Sequence, residues 1–306
     1  MRVLISGATG AIGRPLIGFL RERGHAVFAL ARSGNSARVV AALGAEALIA
    51  DALDASAVKA AILQARPEAV INELTSLPRH YTSAEMTAAA ERDSQVRTEG
   101  NRNLLAALPE AGVRRYLLQS SGFWYAPGVD LADEDQRFAF AASPAVAAGT
   151  RRYAELEQTA SATTGIEFVA LRYGFFYGPG TWFDSAGDVG EQVRRQQVAV
   201  IGDGQGVWSW VHIEDAAAAT VAALECAPGP YNLVDDDPAP QQRWLPAFAR
   251  AVGAPPPPRV SEPQALTTLG PDIVYYATRL RGAANRKARR ELDFRPRRLE
   301  WLRSPD

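Results

Sequence analysis

The sequence predicts an α/β fold: a doubly wound parallel sheet followed by a smaller C-terminal lobe. Three observations carry this. Short apolar runs alternate with Ala-rich helical stretches through the first 174 residues. The runs are continuously apolar, as in strands covered on both faces. From about residue 175 the rhythm weakens, and Pro, Gly and Trp become frequent. Strands separated by helices imply parallel pairing through right-handed crossovers, which puts helices on both faces.

The elements follow in order. "RVLIS" (2–6) reads as a buried strand, and "AIGRPLIGFLRERG" (11–24) as a helix stopped by Gly24. "HAVFALAR" (25–32), "ALIAD" (47–51), "AVIN" (69–72), "RYLLQSS" (115–121) and "EFVALRYG" (167–174) supply the other strands of a six-strand pattern. Beyond them, 199–204 and 229–238 read as short strands with turns, and "APPPPR" (254–259) as a stiff connector. Segment 214–225 reads as a helix able to pack back on the sheet. Residues 1–174 are therefore expected to form the sheet domain, and 175–306 mostly a substrate-binding lobe.

Composition narrows the function. The chain has 306 residues, 47% hydrophobic and 22% charged, enough to bury a sizeable core. A net charge of −1 gives no electrostatic footprint for nucleic acid or a membrane surface. No apolar run approaches the ~20 residues of a membrane span, and Gly7 interrupts the only N-terminal candidate for a signal peptide. The single cysteine, Cys226, fits a reducing cytoplasm and reads as a small buried hydrophobe. His25, His80 and His212 lack metal-ligand spacing, so no metal is expected.

"GATGAIG" (7–13) places Gly7, Gly10 and Gly13 directly after the first strand and at the start of a helix. Glycine allows the tight turn and close backbone approach, and the helix N-terminus offers free N–H groups to a pyrophosphate. In that context the motif marks a dinucleotide-binding, Rossmann-type domain. Ile12 and Arg14 sit at the same junction. At the end of the second strand, where NAD binders carry a carboxylate, stands Ala31, followed by Arg32 and Ser33. A guanidinium can pair with a 2′-phosphate that a carboxylate would repel, with Ser33 and Arg14 adding contacts, so NADP(H) is the expected cofactor. Asp51, ending the third strand, is placed to touch the adenine, and Asp54 to cap a helix.

With "GNRNLLAAL" (100–108), "QSSGFWY" (119–125), "AELE" (154–157), "LRYGFFYGPG" (171–180) and "GDGQGVWSWVHIEDAA" (202–217), the chain resembles the extended short-chain dehydrogenase/reductase superfamily of epimerases and dehydratases. The resemblance covers nearly the whole chain and implies a nicotinamide enzyme. It adds Tyr173 to the cofactor set and matches Ser121 to the family's catalytic Ser. The family's Tyr-x-x-x-Lys falls on Gly149 and Tyr153, and its helix Asn on Arg97. None of the nine Tyr residues is followed by Lys four positions on, so the motif is absent rather than displaced. Phe175 and Trp208 stand where sugar-nucleotide enzymes carry Asn and Arg, which replaces phosphate recognition by apolar area.

Trp124, Phe175, Trp182 and Trp208 are accordingly expected to line a pocket for an apolar or aromatic small molecule; Phe176 and Trp210 read as core. Ser121 either holds a carbonyl oxygen or closes the strand end. Tyr153 is either catalytic or packing. Gly149 reads as space opened beside the nicotinamide, and Arg151 and Arg152 as solvated charges. Three readings stay open: an NADPH-dependent reductase of a carbonyl, enone or imine with unconventional acid catalysis, a redox-neutral isomerase or lyase, and a non-catalytic NADP(H) sensor. The resemblance also implies a possible homodimer through helix 84–108 and the helix beginning near Ala145.

Overall fold

The computed structural model describes residues 1–302. The chain opens with β1 (Arg2–Ser6), α1 (Gly13–Glu22), β2 (Ala26–Ala31), α2 (Gly34–Ala42), β3 (Glu46–Ile49) and α3 (Ala55–Ala65). It continues through β4 (Ala69–Asn72), α4 (Ser83–Ala111), β5 (Arg115–Ser121), α5 (Pro144–Ser161) and β6 (Glu167–Tyr173). All six expected strands are present. α1 turns Leu16, Ile17 and Leu20 onto the sheet, all fully buried, each stabilising by about 1.5–3 kcal/mol. It ends where Gly24 takes φ +76°, the left-handed conformation that favours glycine. The Asp54 carboxylate accepts from the N–H groups of Ser56 and Ala57, both at 3.0 Å, and so caps α3.

The second half holds β7 (Phe175–Tyr177), α6 (Asp188–Arg194), β8 (Val200–Ile201), β9 (Val207–Trp208), β10 (Trp210–His212), α7 (Ile213–Ala222) and β11 (Gly229–Leu233). Then come β12 (Ala239–Pro240), α8 (Gln241–Ala251), β13 (Arg259–Val260), α9 (Glu262–Thr268), α10 (Pro271–Thr278) and α11 (Arg286–Glu291). Here the structure departs from the sequence reading. β11 is not a short strand of the lobe but the seventh strand of the main parallel sheet, whose order is β11-β6-β5-β4-β1-β2-β3. Tyr231 and Leu233 on it are fully buried, which pays for its place at the edge. α7 does pack back, against α1. The lobe is thus entered after β6, left for α7 and β11, and entered again. Residues 303–306, the end of the expected lobe segment, lie outside the described residues.

The remaining lobe is centred on stacked aromatics: Trp208, Trp210, Trp244, Phe183 and Phe248 are all buried together. Trp210 is core as expected, and Phe176 packs against the sheet core. Cys226 is only half-buried; its sulfur and the neighbouring carbonyls receive the Arg115 guanidinium, with Sγ at 3.2 Å. Because β4 lies on the opposite side of β1 from β2, the strand order reverses between β1 and β4. The crevice at their C-terminal ends is where open α/β sheets bind ligands.

Candidate active site

Gly7 and Glu73 follow β1 and β4 into that crevice. The Glu73 N–H donates to the Ser6 carbonyl at 2.9 Å. Gly7 has φ +82°, and a Cβ there would overlap the Glu73 carbonyl. A Cβ at Gly13 would lie 2.6 Å from the Ala8 backbone. These are close main-chain approaches that only glycine permits, and they leave the N-terminus of α1 open behind exposed Gly10. The cradle therefore fits a dinucleotide pyrophosphate. Ile12 is the buried cap residue of α1, and exposed Arg14 donates to the Thr9 carbonyl at 3.0 Å. Arg32 is exposed and makes no hydrogen bond or ion pair with a described residue. The Ser33 hydroxyl is engaged with Ser36 in the cap of α2, and the Asp51 carboxylate accepts from the Leu53 N–H at 3.0 Å.

On the β5 side, Ser121 is buried at the strand end, and its Oγ accepts from the Phe123 N–H at 3.5 Å. Tyr153 is buried on α5, its hydroxyl bonded to no described residue. Gly149 corrects an expectation. It is not open space: a Cβ there would lie 2.5 Å from Cη2 and Cζ3 of Trp124, so the indole occupies the place. The indole also faces the Tyr153 ring, with centroids 5.6 Å apart.

Three of the four expected pocket residues meet here. Phe175 is stacked between Phe123 and Trp208, with centroids 4.1 Å from each. Phe175 and Trp208 are both buried in the aromatic core of the lobe, resting on Trp210, and Trp124 packs against the edge of that core. Trp182 packs against the outside of this core, its centroid 4.7 Å from that of Tyr81, and its Nε1 donates to the Arg79 carbonyl at 2.9 Å. Tyr276 on α10 went unrecognised in the sequence. Its hydroxyl accepts from Trp124 Nε1 at 3.0 Å, and its carbonyl accepts from Trp208 Nε1 at 2.9 Å.

Charged groups lie behind this wall. Arg97 and Asp93, one turn apart on α4, are buried and paired, Nε to Oδ2 at 2.8 Å. The guanidinium covers the Tyr153 ring at 5.2 Å and donates to Gln119 Oε1 at 3.1 Å. Asp93 also accepts from the Ser76 N–H at 2.7 Å, which ties down the segment after β4. Arg152, expected to be solvated, is 21% exposed and lies 3.6 Å from Asp93. Burial pushes the Tyr153 phenol up, and the Arg97 charge opposes this. The Tyr173 hydroxyl is committed inside the protein, donating to Glu73 Oε1 at 2.9 Å beside Thr220 Oγ1 at 2.6 Å.

Glu73 also went unrecognised, although a carboxylate directly after the apolar "AVIN" strand is a visible signal. Burial pushes its carboxyl from 4.5 up to about 8, against the opposing Tyr173 hydrogen bond and Arg97 charge. The folded chain therefore holds this proton more tightly than the unfolded one. Its contribution to stability is full below pH 4.5 and is lost as pH rises through about 8. Buried Asp235, also raised to about 8, adds a slope of the same sign. Glu73→Gln is expected to make the fall in melting temperature between about pH 5 and about pH 8 visibly shallower. An unchanged slope would mean that Glu73 is ionised in the folded protein.

The family model described as "NAD dependent epimerase/dehydratase family" matches residues 3–233. The chain belongs to that family. A 3-diazoavenalumate denitrifying reductase from a Streptomyces species is 40% identical over 310 residues, 98% of this chain and 98% of the relative. A 2-alkyl-3-oxoalkanoate reductase from Stenotrophomonas maltophilia is 27% identical over 83% of this chain and 77% of its own. The crystal structure of a Thermus thermophilus UDP-glucose 4-epimerase in complex with NAD superimposes with a TM-score of 0.75 at 23% identity, over 99% of this chain and 96% of that one. The fold thus extends over 99% of this chain, and no described helix is long and apolar enough to cross a membrane.

Proposed function

We propose that this chain is an NADPH-dependent reductase of an aromatic small molecule, and that its substrate carries a diazo group. The observation that carries the reading is Trp124 packed on Gly149, which leaves helix α5 with no acid at the position where the family's Tyr would stand. Ketone reduction needs a proton at the oxygen as hydride arrives. A bound nicotinamide would supply hydride; at the ring carbon of a hydroxyaryl diazo compound in its diazonium–phenolate form, a C–H bond would form, the C–N pair would leave with dinitrogen, and the ring would keep its phenolate oxygen. That leaving group requires no proton, so the lost acid is no handicap. The 40% identical relative is named for a diazo compound and for denitrifying it. The stacked Phe123, Phe175 and Trp208 suit a flat ring.

In this reading Gly7, Gly10, Gly13 and Ile12 hold the pyrophosphate, Asp51 faces the adenine, and Tyr173 supports the nicotinamide end through Glu73. Ser121 and Tyr153 border the reacting carbon. Arg32, assisted by Ser33 and Arg14, meets the 2′-phosphate. Arg32→Asp is then expected to weaken NADPH binding about tenfold or more, the scale of a charge-assisted hydrogen bond, and to leave NADH binding little changed. Equal losses in fluorescence titrations would contradict the assignment.

The reading is tested with NADPH deuterated at the transferred position, offered beside a hydroxyaryl diazo compound, an aryl ketone, an enone and an imine. Deuterium should appear at the carbon that loses nitrogen, with dinitrogen released and the ketone unreduced. Bound cofactor without diazo turnover would refute it, and turnover of the ketone alone would return the site to carbonyl chemistry.

A further inference from the structure

Trp124 does more than fill the place above Gly149. Its ring lies on α5, and its N–H points away from that helix toward the lobe, where it donates to the Tyr276 hydroxyl at 3.0 Å. The hydroxyl oxygen is thereby engaged as an acceptor. Its own hydrogen is given to no described residue. Tyr276 is only partly exposed, with its ring centroid 6.0 Å from that of Phe175 and 5.7 Å from that of Trp208, so the phenol packs against the edge of the aromatic core. Its main chain is fixed by the Trp208 indole, and α10 is anchored at its first turn, where Asp272 Oδ1 accepts from the Ala145 N–H of α5 at 2.9 Å. A donor with a spare hydrogen, held at both its oxygen and its backbone, is preorganised for an acceptor on a ligand.

We infer that the Tyr276 phenol binds an oxygen on the aromatic substrate, taking from the lobe side the polar contact that α5 no longer offers at Gly149. This rests on the reading of the site as an aromatic-ligand site, but not on the diazo chemistry. Tyr276 would be a substrate-binding residue that sets which ring position faces the reacting centre. A ring with an oxygen is then preferred over the same ring without one, because an unanswered donor in a desolvated site is costly. The burial that pushes this phenol well above its ordinary range keeps it a neutral donor throughout the working pH range.

The test pairs a deletion on the protein with a deletion on the ligand. 2-Naphthol and naphthalene are titrated into the NADP⁺-loaded full chain, wild type and Tyr276→Phe, and read by quenching of tryptophan fluorescence. Wild type should prefer 2-naphthol by about tenfold, and Tyr276→Phe should bind the two alike, with naphthalene affinity unchanged. A purely packing role would weaken both ligands equally. Equal weakening, retained preference in the variant, or no preference in wild type overturns the inference. Trp124→Phe gives a second reading: the donor is kept but its anchor is lost, so the preference should shrink without vanishing, and an unchanged preference counts against the coupled pair. Preference without diazo turnover would sink the proposed chemistry and leave Tyr276 in place.

Discussion

Gly7→Ala is expected to lose measurable dinucleotide affinity and to destabilise the fold by about 3 kcal/mol or more. Two independent costs combine. The residue has φ +82°, which an alanine adopts only under strain, and its Cβ would overlap the Glu73 carbonyl. Neither wall can yield cheaply, since both are main chain. Ser6 and Asn72 immediately before them are opposed in the β1–β4 ladder, and Glu73 N–H is bonded to the Ser6 carbonyl. Gly10→Ala is the internal control. A Cβ there meets only the Gly7 carbonyl, at 3.1 Å, and no left-handed backbone is required. It should cost cofactor affinity by crowding the open face while melting close to wild type. Thermal melting and NADPH titration of both variants separate the two effects. A Gly7→Ala protein that melts like wild type would show that the crevice is wider than described.

Asp93→Ala is expected to destabilise by about 3–5 kcal/mol, because it strands the Arg97 charge inside the protein. Arg97 is 6% exposed and Gln119 is its only other hydrogen-bond partner among the described residues. The same substitution frees the Ser76 N–H and removes the countercharge near Arg152. Converting both partners, Asp93→Leu with Arg97→Met, should recover most of the loss, since apolar residues of similar volume escape the desolvation penalty. Denaturant unfolding of the single and double variants provides the comparison. If the double variant is as unstable as the single one, the pair is not what makes Asp93 important.

What the sequence revealed depended on how local each signal was. The six expected strands and the glycine cradle rest on contiguous residues and were legible. β11 was legible as a short strand but not as part of the main sheet, because "GPYNL" carries Gly and Pro like a turn and only its pairing with β6 places it there. The Asp93–Arg97 pair carries no such local signal, since i,i+4 spacing reads the same whether the face is wet or buried. In the sequence Gly149 reads as a gap because its filler, Trp124, comes from the loop after β5 and not from the helix. Tyr276 had no local signal at all: its partner Trp124 lies 152 residues away in the chain.

The return of α7 and β11 to the sheet bears on how this protein is made. Leu16, Ile17 and Leu20 share one core with Ala216, Ala217, Val221 and Leu233. A ribosome that has released residues 1–174 has exposed six strands but not the helix and strand that complete this face. The nascent chain therefore carries a bare apolar layer and an unpaired β6 edge until about sixty more residues emerge, the condition under which chaperones bind and aggregation begins. A fragment cut at the visible change in sequence rhythm should accordingly precipitate, whereas one extended through residue 233 should stay in solution longer.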